Sequence, residues 1–275
     1  MGLYKLTREN QHFFINTGEV FGVQNVDGQF ENPTTTLEFI GMDNGTMIPN
    51  GPRNGSIDVS QFLITDDTFL QYTGDVGFSG YLLKSRSDFT QNFSFKTGFL
   101  TSYRVRCGIG TIPEIGATIE SFGKVGNIPT SEVPTDISSA SENFDFKVAD
   151  PGSIVINMDE FDTNRCSSFE ISISCPREPH YILGQYEPKE VDSRYPFPVT
   201  INFQLEVDDY SGQNNFDYPC SKDIRDISIT LKDLENQSDL LTYSFSDMTK
   251  VSESVVSEVG NNVAVALSYQ GYIGR

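Results

Sequence analysis

A stretch of this chain returns later in the same chain, and its flanking segments return with it. Residues 56–67, Ser-Ile-Asp-Val-Ser-Gln-Phe-Leu-Ile-Thr-Asp-Asp, are matched 142 positions on by residues 198–209, Pro-Val-Thr-Ile-Asn-Phe-Gln-Leu-Glu-Val-Asp-Asp. Phe39-Ile40-Gly41 reappears as Ile182-Leu183-Gly184, and residues 121–126 (Ser-Phe-Gly-Lys-Val-Gly) as residues 269–274 (Tyr-Gln-Gly-Tyr-Ile-Gly). The offsets of 142, 143 and 148 run in one order with small insertions, the pattern of a duplicated domain. Such a chain is expected to build two related modules. A duplication held for symmetry serves assembly more readily than chemistry, which usually needs one site.

The length of 275 residues suits two domains of roughly 130 residues each. The expected division is a first module over 1–126, a polar, Pro-marked linker over 127–143 and a second module over 144–275. Strand signals dominate both. Val199, Ile201, Phe203, Leu205 and Val207 alternate with Thr200, Asn202, Gln204 and Glu206, the period-two pattern of a strand with one buried face. The first-half counterpart keeps phase through Ile57, Val59 and Leu63 but breaks it at Gln61 and Phe62. Tyr103, Val105, Cys107 and Ile109 alternate likewise, placing Arg104 and Arg106 together on a solvated or interfacial face. Residues 246–260 carry a helical stripe of Met248, Val251, Val255 and Val259. Aligning Gly260 with Gly110 sets Val255 on Val105 and turns the stripe into a strand, which suits its β-branched residues. Two Gly/Asn/Pro-punctuated segments, 42–55 and 185–197, read as matched loops. Residues 71–95 carry a hairpin around 85–92 and lack a clear second-half match. The expected fold is all-β: two tandem, duplicated, β-sandwich or barrel-like modules.

Charge narrows the partners. Thirty-eight acidic against 19 basic side chains leave a net charge of −19, which repels phosphate backbones and disfavours tight nucleic-acid binding. No run of about 18 apolar residues would cross a membrane as a helix, and the first residues carry no apolar export region or myristoylation pattern. Neither an export signal nor a membrane anchor is expected. Chemistry is equally hard to place. Cys166 and Cys175 bracket a strand-like run that would hold them about 30 Å apart, beyond disulfide reach, so Cys107, Cys166, Cys175 and Cys220 read as buried or free thiols. His12 and His180 lack metal-ligand spacing. The acidic cluster at Asp159, Glu160, Asp162 and Asn164 lacks the Gly and distal Glu of a calcium loop. Asp66-Asp67 and Asp208-Asp209 recur, yet neighbours on a strand face opposite ways, so strand-ending turn caps are expected. With no nucleotide or nucleophile motif present, the expectation is no catalytic residues, no cofactor-binding residues, no metal ligands, and no enzyme.

Several segments resemble one family. Residues 97–105 (Thr-Gly-Phe-Leu-Thr-Ser-Tyr-Arg-Val), then Gly110-Thr111-Ile112-Pro113 and residues 117–123 (Ala-Thr-Ile-Glu-Ser-Phe-Gly), are similar to the tail tube proteins of tailed bacteriophages. Residues 181–185 with Pro188 and Phe197-Pro198-Val199, and Val259-Gly260-Asn261-Asn262 with Leu267-Ser268-Tyr269, resemble the same family. The resemblance implies β-sandwich subunits that assemble into rings, their inner sheets joined in a barrel and their loops reaching the next ring. Members with tandem copies form trimeric rings of pseudo-sixfold symmetry; those with one copy form hexamers. Implied partners are copies of this chain, in rings and stacked tubes, other tail proteins, and DNA that passes without tight binding. The implied location is the virion tail, after synthesis in the host cytoplasm. Other readings are a different β-sandwich virion protein (tail completion, tail tip or capsid-associated) or a carbohydrate-binding or adhesive module.

Overall fold

A computed structural model describes residues 11–38, 40, 45–64, 67–85, 88–134, 147, 149–158, 161–163, 166–206, 224–235, 238–256 and 264–274. Over these residues the protein is all-β, with only two single-turn 3-10 segments, Leu70–Tyr72 and Thr130–Glu132, besides strands. The first half runs β1 (His12–Ile15), β2 (Gly18–Val20), β3 (Val23–Glu31), β4 (Thr34–Leu37), β5 (Thr46–Pro49), β6 (Asn54–Phe62), β7 (Phe78–Ser85), β8 (Asp88–Gly108), β9 (Glu114–Ser121) and β10 (Val125–Gly126). The second half runs β11 (Ala149–Met158), β12 (Phe161–Thr163), β13 (Cys166–Ser174), β14 (Arg177–His180), β15 (Glu190–Ser193), β16 (Phe197–Glu206), β17 (Ile224–Asp233), β18 (Asp239–Val256) and β19 (Ala264–Ile273).

Pairing in the first half follows β2-β1-β7-β8-β9-β6-β3, and in the second β12-β11-β17-β18-β19-β16-β13, antiparallel throughout. Hairpins β4–β5 and β14–β15 form separate two-stranded sheets at the same place in each half. The irregularities recur too. A bulge interrupts β3 between Val23 and Asn25, and β13 between Cys166 and Ser168, both 143 residues apart. The β8–β9 ladder bulges between Leu100 and Ser102, and β18–β19 between Lys250 and Ser252, 150 apart. A third bulge pairs Phe78/Gly80 with Arg225/Ile227. Thr97 and Asp247, again 150 apart, are both non-glycine residues at positive φ, 57° and 56°. A bulge bends and twists its strand. Here it lies where β8, paired with β7 up to Gly98, passes over to β9, so that each half folds into two layers bridged by one long strand.

Read along these ladders, the halves correspond at 143 residues for β1 to β4, 144 for β5 and β6, 147 for β7 and 150 for β8 and β9. The match of 39–41 with 182–184 and the alignment of Gly110 with Gly260 fall on these values. The 142 and 148 offsets each miss by two residues: Ile57 stands level with Ile201, not Val199. Because side chains alternate with period two, a slip of two keeps every residue on its face and escapes detection in sequence.

The core lies between the layers. Phe197, Val199, Ile201, Phe203 and Leu205 are buried, as their alternation requires, and so are Tyr103, Val105 and Cys107; Ile109 lies past the end of β8 and is exposed. Gln61 corrects the reading of its strand. It stays in phase on the buried face, its amide donating to the Phe21 carbonyl at 2.8 Å, so a polar residue occupies a core position without any change of register. Residues 246–256 are strand, as the alignment with the first half requires. The matched segments 42–55 and 185–197 are not loops throughout, since they contain β5 and β15. Residues 71–95 do have a counterpart, in β17 and the first part of β18, and their hairpin closes with Ser85 opposite Asp88. In the linker stretch, Ile128 and Val133 are buried and Asn92 brackets Ile128 through both its backbone N–H and C=O; the rest of that stretch lies outside the described residues.

Candidate subunit interface

The sheet does not stop at the middle of the chain. β8 pairs with β9 on one side and, over Ser102–Gly108, with β13 on the other, so β3-β6-β9-β8-β13-β16-β19-β18 form eight consecutive strands. On the core side of this junction Tyr103 meets Ile173, Val105 meets Ile171 and Cys107 meets Phe169, all buried. On the opposite side Arg104 forms an ion pair with Glu170 of β13, and Arg106 with Glu114 at 2.8 Å. The two arginines do share a face, each neutralised by a glutamate.

Two polar clamps hold the halves together. Asp67 caps the turn at 68–70, accepting from the Phe69 and Leu70 N–H groups at 3.1 Å each. The same carboxylate accepts the Tyr243 hydroxyl at 2.9 Å and the Tyr103 hydroxyl, and the two phenols lie 3.2 Å apart. Burial, reinforced by the neighbouring anion, pushes both phenol pKa values well above the ordinary tyrosine range. Arg177 of β14 donates to the carbonyls of Leu100 at 3.0 Å and Thr73 at 3.2 Å, with its guanidinium 5.7 Å from the Phe99 ring centre and 5.5 Å from that of Phe197. Burial lowers its pKa. Sequence reasoning placed Asp67 in a turn cap but missed both clamps, whose partners lie 36 to 176 residues away.

At the far ends the strands stop short. Among the described residues β3 is paired only with β6, and no strand lies along the second side of residues 252–256 of β18. Phe30 faces the core side of β3 yet is 45% exposed, and Val255 faces the core side of β18 and is also 45% exposed. The equivalent residues at the closed junction, Ile173 and Val105, are 1% and 0% exposed. The solvent side of the eight strands is polar. Asp27, Asp58, Glu114, Glu120 and Glu170 share it with Arg104, Arg106 and many small Ser, Thr, Asn and Gln side chains. The four stand-off strands end in apolar tips, where Ile40 is 109% and its equivalent Leu183 103% exposed.

The sequence-predicted chemical candidates stay apart. His12 pairs with Glu19 at 2.7 Å and His180 with Asp192 at 2.9 Å, each across a hairpin. Cys107, Cys166 and Cys175 are free thiols; burial pushes Cys166 up to about 12 and Cys175 to about 11, which keeps both protonated and weakly nucleophilic at neutral pH. Cys220, Asp66, Asp208-Asp209 and, of the acidic cluster, Asp159, Glu160 and Asn164 lie outside the described residues. No group of three or more His, Cys, Asp or Glu able to hold a metal occurs among the described residues. No family model matches this chain, and no curated protein matches it.

Proposed function

We propose that this chain is a structural subunit of a bacteriophage tail tube, built from two copies of one β-module and assembling into stacked rings around a pore through which DNA passes. The observation that carries this reading is the eight-strand sheet that runs unbroken through both halves and ends in two unpaired strands. A strand edge with exposed apolar side chains attracts another strand, and a closed ring leaves no edge behind. Two modules per chain make three chains the number for a pseudo-sixfold ring, in line with the resemblance of residues 97–123 and 181–199 to tail tube proteins. The solvent side of the sheet suits a lumen. Its carboxylates repel phosphate, and its two arginines are held by Glu170 and Glu114, so that DNA would be guided without being gripped. The protein would then act in the virion tail without an enzymatic step.

Negative-stain electron microscopy of the purified protein tests the reading. Rings or tubes with a central hole are expected. Dispersed monomers at high concentration would count against it, and a monomer that binds a glycan would favour an adhesive module.

A further inference from the structure

We propose that β3 of a second copy of this chain adds to the open side of β18 in the register in which β13 adds to β8, with Phe30 opposite Glu253, Gln29 opposite Ser254 and Gly28 opposite Val255. This inference rests on the ring reading and specifies its contact. The register follows from the two correspondences: β3 answers to β13 at 143 residues and β18 to β8 at 150, so the pairs Ile173–Tyr103, Ser172–Arg104 and Ile171–Val105 become those three.

The seat is already shaped. The bulge at Lys250/Ser252 gives β18 the same departure from β17 that the Leu100/Ser102 bulge gives β8 from β7, freeing a strand-length edge for a newcomer. The newcomer is as well prepared: β3 bulges where β13 does. Docking would cover Phe30 and Val255, the two core-facing side chains now half exposed. It would also set Val255 against the Phe93 ring, which lies so close over Gly28 that a Cβ there would fall 2.2 Å from it. Phe93 is the equivalent of Tyr243, which holds the matching place over the β8–β13 junction. The edges meet head to tail, β3 of one copy on β18 of the next, so the contact repeats until a ring closes.

Oxidation of a Gln29→Cys/Ser254→Cys variant tests the register. Directly opposed residues lie about 5 Å apart and can form a disulfide, whereas diagonal ones at about 7–8 Å cannot. The expected result is a reducible ladder of covalent multimers that wild type does not give, while Gln29→Cys/Ser252→Cys stays unlinked. Linkage of the second variant in place of the first overturns the register. Absence of linkage in intact rings overturns the seat but leaves the tube reading standing; absence of both rings and links removes the two together. Phe30→Glu, which sets a carboxylate opposite Glu253, should raise the concentration needed for ring formation at least tenfold without changing the melting temperature of the free chain. Ring formation at the wild-type concentration would also overturn the proposal.

Discussion

The sheet offers two equivalent seats for an incoming strand, one on β8 and one on β18, and their side chains differ sharply. On β8 the core-facing positions are Leu100, Tyr103 and Val105, all buried beneath the second half of the same chain. On β18 the corresponding positions are Lys250, Glu253 and Val255, and the Lys250 ammonium lies 3.0 Å from the Glu253 carboxylate. The first seat is filled as soon as the chain folds, so nothing limits how apolar it becomes. The second must remain in water for as long as the chain is free. A charged pair on an open edge keeps strands of unrelated chains from adding there. The same contact is therefore built twice with opposite priorities, permanence within the chain and restraint at its ends.

The largest effect expected from that contrast is on stability. Leu100→Ala empties a fully buried position and should cost about 2–5 kcal/mol. Lys250→Ala, at the matching rung, removes only a partly exposed ion pair and should cost less than about 1 kcal/mol in the free chain. Urea melts of both variants compare them directly. Equal costs would mean that the seat on β18 is already covered.

An intermediate effect concerns pH. Tyr103 and Tyr243 straddle the closed junction, whereas Glu253 and Phe93 hold the matching places at the open one. Both phenols are raised in the folded state, so their contribution is complete below the unfolded value of about 10 and is lost as pH climbs toward the folded one. Each should lower stability by about 1.4 kcal/mol per pH unit in that window. The thiols of Cys166 and Cys175, also raised by burial, act in the same direction from about pH 9. Tyr243→Phe removes one phenol alone, and melts between pH 9 and 11 should show a shallower decline than wild type. An unchanged decline would mean that the junction opens before the phenols ionise.

How much of this was legible depended on period and distance. The buried face of β16 could be read from Val199 to Leu205 because one solvated side imposes strict alternation. The same alternation hid the two-residue errors at 56–67 and 121–126. β7 and β17 share pairing partners but little residue identity, and the offset changes between β6 and β7, so 71–95 looked unmatched. The β4–β5 and β14–β15 hairpins passed for loops because strands of four residues, rich in turn-forming neighbours, give little periodic signal. The clamps at Asp67 and Arg177 were out of reach for a different reason: each joins residues that only the junction of the two halves brings together.

The smallest expected effect tests the equivalence of the halves at its most local point. Thr97 and Asp247 occupy the left-handed region at matching places, three or four residues before the bulge where the bridging strand changes layer. A β-branched residue is poorly suited to that conformation, whereas Asp tolerates it. Glycine relieves the strain at either site but gives the unfolded chain more freedom, which offsets about 0.5–1 kcal/mol. Thr97→Gly should therefore gain about 0.5 kcal/mol, and Asp247→Gly should be neutral or slightly destabilising. Paired thermal melts resolve the sign. A gain at Asp247 larger than that at Thr97 would mean that the two bends carry strain for different reasons, and that the bulges coincide without being alike.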